Sequence, residues 1–103
     1  MAGGKTLDQN VHRELWTSWA SVLRSYAAAH GLNSEHHAVV EVGSEEITLR
    51  VATRWVRFTQ HTVEESDGRQ AEFCLEENGT VNLGGKIEEM DMAAERIARE
   101  LMQ

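Results

Sequence analysis

A chain of 103 residues, 41% apolar and 26% charged, is long enough for one hydrophobic core and too short for two. Its 17 acidic against 10 basic side chains leave a formal charge of -7, which argues against a broad grip on a polyphosphate backbone. One cysteine forms no internal disulfide, no run of residues approaches a membrane span, and MAGGKTLDQ lacks the apolar core of a signal peptide. A soluble, cytoplasmic protein that folds without oxidation is therefore expected.

The whole chain, 1–103, is expected to form a single α+β domain, with residues 1–5 a flexible tail. Thr6 and Gln9 have the spacing of a capping box, which predicts a helix starting near Leu7. Leu7, Val11, Leu15, Trp19, Val22 and Tyr26 recur at helical spacing in one stripe, and Trp16, Ala20, Leu23 and Ala27 widen it. An arc that wide exceeds one sheet contact, so the flank carrying Trp16 and Leu23 should meet either the C-terminal helix or a second subunit. His30-Gly31 closes the helix, with Leu32 folding back on it.

Ala38, Val40 and Val42 alternate as a strand facing the core, and Gly43-Ser44-Glu45 turns the chain back. Residues 46–62, EITLRVATRWVRFTQHT, are rich in β-branched and aromatic side chains. Their apolar phase slips once, from Ile47, Leu49 and Val51 at odd positions to Val56 and Phe58 at even ones. A bulge or a very tight turn must absorb the slip, and without Gly, Asn or Pro at 52–54 the bulge is favoured, giving one long bent strand. After the polar break at 64–69 comes a strand over 71–76 with Phe73 and Leu75 inward. Asn78-Gly79 then predicts a type I′ turn into a last strand at 80–83. Gly84-Gly85 releases a second helix in which Ile87, Met90, Ala94, Ile97 and Leu101 form a narrow seam. The resulting fold class is α+β, a two-layer sandwich of four or five antiparallel strands with the N- and C-terminal helices on one face, in the order α-β-β-β-β-α.

Chemistry-bearing residues are scattered. His36 and His37 adjoin at a strand start and point to opposite faces, while His12, His30 and His61 lie on other elements, so no metal-ligand spacing exists. The pairs Glu45-Glu46, Glu64-Glu65, Glu76-Glu77 and Glu88-Glu89 fall in turns or at element ends, where solvated carboxylates are usual. Glu72 and Glu76 beside Cys74 should raise its pKa and leave the thiol inert. Asn78-Gly79-Thr80 matches a glycosylation acceptor but no secretory signal accompanies it, and phosphate loops and nucleophile elbows are missing. No catalytic residue, metal or cofactor is expected, and the chain reads as non-enzymatic.

The informative surface is the sheet face turned away from the helices. Arg50, Trp55, Arg57, Glu72 and Cys74 belong to it, with Val39, Glu41 and Glu76 around them and Arg54 near the bulge. Trp and Arg dominate binding hot spots. A small acidic protein-interaction module is expected, binding a protein partner or forming a homodimer through this open face or through the first helix. The alternative is single-stranded nucleic acid stacked on Trp55 between the arginines, which the net charge disfavours.

Overall fold

The computed structural model describes residues 9–31 and 37–102. The Thr6 cap, the tail at 1–5, the placement of Leu32 and His36 fall outside them. Helix α1 (Gln9–Gly31) is followed by seven strands, β1 (Ala38–Val42), β2 (Ile47–Val51), β3 (Arg54–Phe58), β4 (Thr62–Glu65), β5 (Gln70–Leu75), β6 (Thr80–Leu83) and β7 (Lys86–Glu89), and by helix α2 (Met90–Met102). Every strand pairs antiparallel with its sequence neighbour, so spatial order equals chain order from β1 to β7. The α+β class and the antiparallel sheet stand, and the strand count among the described residues is corrected from four or five to seven. Among the described residues, no helix is long and apolar enough to cross a membrane.

Two of the added strands come from turns that the sequence hides or disguises. The long strand expected over 46–62 is instead a hairpin, with β2 and β3 paired from Ile47↔Phe58 to Val51↔Arg54 and only Ala52-Thr53 between them. Ala52 takes a positive φ of 56°, the sign that a type II′ turn needs at its first central position. An alanine there costs about 1–2 kcal/mol, and the five cross-strand pairs on either side of the turn hold it in place. The two-residue turn explains the phase slip, since Val51 and Val56 both remain on the core side. Gly84 and Gly85, expected to be a loose release into a helix, both have positive φ (62° and 93°) and form the tip of the β6–β7 hairpin. Ile87 therefore sits in a strand, 59% exposed, and the α2 seam begins at Met90.

The Asn78-Gly79 turn is present in a different form from the expected type I′. Gly79 N–H donates to Glu76 O at 3.1 Å and Glu76 N–H to Thr80 O at 2.9 Å, which closes a three-residue loop with only Gly79 at positive φ (84°). The β4–β5 loop repeats the design. Gly68 N–H donates to Glu65 O at 2.9 Å, Glu65 N–H to Arg69 O at 2.8 Å, and Gly68 has a φ of 94°. Asp67 and Asn78 accept backbone N–H bonds from Arg69 and Thr80 two residues on, the local bond that suits these side chains to turns. The Asp67 carboxyl is held below its usual range, first by that backbone bond and then by the Arg69 guanidinium.

The sheet is staggered along β5. Gln70, Ala71 and Glu72 pair with β4, whereas Phe73, Cys74 and Leu75 pair with β6. A flat four-stranded layer is thus replaced by a meander that shifts along itself midway. Ile47, Leu49, Val51, Val56, Phe58, Phe73 and Leu75 all turn to one side and are buried, as their alternation predicted, and Val81 of β6 joins them there. They share one cluster with Trp16, Trp19, Ala20, Leu23 and Ala27 of α1 and Met90, Ala93, Ala94 and Leu101 of α2. The α-helices pack on each other, and His30 bridges them to Glu95 at 3.0 Å.

The two turns make opposite predictions in denaturant melts. Ala52→Gly relieves the positive φ at the cost of a looser unfolded chain, and should stabilise by about 0.5 kcal/mol, or roughly 2–4 °C in Tm. Gly79→Val meets no atom within 4 Å, so its effect is backbone strain alone, and it should destabilise by about 1 kcal/mol or more.

Candidate interaction surface

The outer face of the sheet is built from the residues that alternate with the core. The β1–β2–β3 registers set Val39, Arg50 and Trp55 in one cross-strand row and Glu41, Thr48 and Arg57 in the next, with Glu64 continuing the second onto β4. Arg50 bonds Glu41 at 3.2 Å. Arg57 lies between Glu46 at 3.6 Å and Glu64 at 3.4 Å, and its guanidinium carbon stands 4.6 Å from the centroid of the Trp55 ring. Thr48 is covered to 6% exposure in this row, and Trp55 is half-buried. The expected Trp/Arg centre is therefore assembled, with its cations already matched by glutamates.

The other expected members lie elsewhere. Arg54 is on the core side of the sheet, opposite Val51, and donates to the Glu100 and Leu101 carbonyls at 3.2 Å each. There it satisfies orphan acceptors at the α2 C-terminus, where a cation also suits the helix dipole. The tight turn moved it there, since the bulge would have left it near Trp55. Glu72 and Cys74 are exposed on the outer face of β5, remote in register from the β2–β3 row. Leu23 is fully buried and Trp16 is 6% exposed, its indole N–H donating to Gly43 O at 2.9 Å and its ring stacked with His12. The wide arc of α1 is thus consumed within the chain by α2 and the sheet.

Burial and thiolate chemistry agree at Cys74. Partial burial is the larger cause raising its pKa, and a hydrogen bond to Glu76 at 3.6 Å adds to it. Clefts among the described residues flank the core, and two of them are of similar size. One, of about 710 Å³, is lined by His12, Trp16, Glu45, Glu46, Thr59 and His61 among others at the α1 N-terminal end. No group of three or more His, Cys, Asp or Glu side chains among the described residues is placed to hold a metal ion. The second, of about 720 Å³, runs between α2 and β3–β7, and its arginines are engaged internally: Arg69 with Asp67, Arg96 with Glu88, and Arg54 with the α2 carbonyls.

Sequence reasoning missed the feature that now stands out, the outer rim of β1. This strand ends the sheet, and Val39 (51% exposed) and Val42 (42% exposed) are large apolar residues left in water on it. Gly43 N–H donates to Glu46 O at 2.7 Å, which fixes the hydrogen-bonding phase of the β1–β2 ladder. Counting back, Glu41 and Val39 bond to β2, and the N–H and C=O groups of Ala38, Val40 and Val42 aim away from the sheet. Neither a lysine nor a proline blunts the strand, and its five pairs run without a bulge. The signal was available in AVVEV, a valine-rich strand at the start of the sheet, once β1 was known to be terminal.

Cys74 should alkylate more slowly than free cysteine at pH 8, with a rate that climbs as the pH passes above the ordinary thiol range. Glu76→Gln should speed it by removing the negative charge that helps hold the proton on sulfur. A rate equal to that of free cysteine would mean that neither influence operates. No family model matches this chain, and neither a curated protein nor a solved structure matches it, so its functional reading rests on the geometry above.

Proposed function

We propose that the chain is a small, non-catalytic protein-interaction module that takes a partner strand along the open rim of β1, with the Val39–Arg50–Trp55 row as the adjoining surface. The observation that carries this reading is the unblunted terminal strand itself, whose outward backbone groups lie beside two exposed valines. Natural sheets commonly protect such an edge with charge, proline or a bulge. A rim kept straight and apolar suits strand addition, where backbone bonds supply affinity and neighbouring side chains supply selectivity.

Single-stranded nucleic acid is the weaker reading. Stacking needs an open aromatic face and free cations, whereas Arg57 covers Trp55 and both Arg50 and Arg57 are paired with glutamates. A net charge of -7 opposes a polyanion further.

A photo-reactive amino acid at Val39, introduced in cells that make the chain, should give a covalent adduct. The same group at Ser21, exposed on α1, should give none. Equal yields at the two positions would remove the β1 rim as a binding surface.

A further inference from the structure

We infer that the partner strand at this rim is β1 of a second copy of the same chain, joined antiparallel about a twofold axis through Val40. This rests on the β1-rim reading above and adds the partner and the register. With Ala38, Val40 and Val42 directing their backbone groups outward, an antiparallel copy uses all of them in one symmetric register: Val40↔Val40, Ala38↔Val42 and Val42↔Ala38. Each of these three pairs exchanges two N–H···O bonds, six in all, and leaves no outward group of Ala38–Val42 unpaired. A shift of the axis by one residue, to Val39 or Glu41, keeps only four of the six bonds, because Val42 or Ala38 then falls opposite a residue beyond the end of β1, and at Glu41 it also sets like charges face to face; a shift by two likewise leaves a pair beyond the end of β1.

The side chains agree with the same register. On the core side, Val40 meets its own copy and Val42, now 42% exposed, meets Ala38, so an apolar row continues across the junction. On the outer side, Val39 of one copy stands opposite Glu41 of the other. The row Trp55–Arg50–Val39 then ends on a carboxylate, and Arg50, which already bonds its own Glu41 at 3.2 Å, has a second acidic neighbour across Val39. Like charges are not brought opposite each other, since Glu41 never faces Glu41. Five residues per strand form a small junction, below the size of a standard stable interface, so assembly should depend on concentration.

The experiment uses the full chain with Cys74→Ser as background, so that every thiol is placed by design. Val39→Cys and Glu41→Cys chains carrying different mass tags are mixed at high concentration and oxidised. The register places residue 39 directly opposite 41 in a close, non-hydrogen-bonded pair, so the mixed 39–41 disulfide should form at least several-fold faster than 39–39 or 41–41. Light scattering of the wild type should rise from a one-chain to a two-chain mass with concentration, and Val39→Lys, at a 51% exposed position, should hold it at one chain with an unchanged circular dichroism spectrum. Val40→Pro, which removes the central donor, should do the same. A wild type that stays monomeric at millimolar concentration overturns the proposal, and so does a 39–39 disulfide that forms as fast as 39–41. The mass of the Val39 photo-adduct separates the two readings: a product of any mass other than two copies ends self-pairing while leaving the rim a binding surface, and no adduct ends both.

Discussion

Trp19 is the point through which the two halves of the sheet are joined. Its ring meets Phe58 of β3 edge-on at 5.2 Å and Phe73 of β5 at 5.7 Å, and the two phenyl rings are 5.0 Å apart. Short β4 lies between those strands in the sheet, and its four residues leave room for the rings to close over its end. The indole N–H of Trp19 has no hydrogen-bond partner among the described residues, which costs about 1–3 kcal/mol. Burying a tryptophan removes roughly 150–250 Å² from water, which at about 25 cal/mol per Å² contributes about 4–6 kcal/mol. Burial wins, and the arrangement holds with the polar atom unmet.

That contact also decides which face of each strand is free. Phe58 and Phe73 inward force Arg57 and Cys74 outward, so the Trp55 and Arg57 pairing is a by-product of core alternation as much as a designed surface. Both arginines of the outer rows are matched, since Glu41 pairs with Arg50 and Glu46 and Glu64 flank Arg57, so the face keeps the acidic sign of the whole chain. Exposed pairs of this kind contribute at most about 1 kcal/mol each, and their stronger effect is on what the face will accept. A polyanion finds no unpaired cation in these rows, and an apolar strand finds valines at the rim.

Alternation made most of the core legible from the sequence. Each residue assigned inward between Ile47 and Leu75 is buried, because a period of two survives whatever the turns do. Turns were less legible because their identity depends on the strands beside them. Ala52 has no intrinsic preference for a positive φ, and only the pairing of β2 with β3 forces it there; Gly84-Gly85 is compatible with a linker or a hairpin until Ile87 and Glu88 are seen to alternate. Glu88 made that harder, since a carboxylate facing the core side looks like a helix surface residue. Arg96 resolves it, with one Glu88 oxygen 2.5 Å from the guanidinium and the Glu88 side chain only 14% exposed. The Arg54 misplacement followed directly from the missed turn, and the rim of β1 was invisible without the strand order.

Because spatial order repeats chain order, almost all strand pairing is between neighbours in sequence, and hairpins can form as soon as they are made. Helix α1 is the exception. Trp19 comes 54 residues before Phe73, so during synthesis at about 5–20 residues per second its apolar flank waits roughly 3–10 s for the second of its aromatic partners. Through that interval Trp16, Trp19 and Leu23 are a greasy helix without a sheet half to lie on. The nascent chain is thus most exposed to chaperones and to misassociation at its N-terminal helix, on the flank that the finished fold buries.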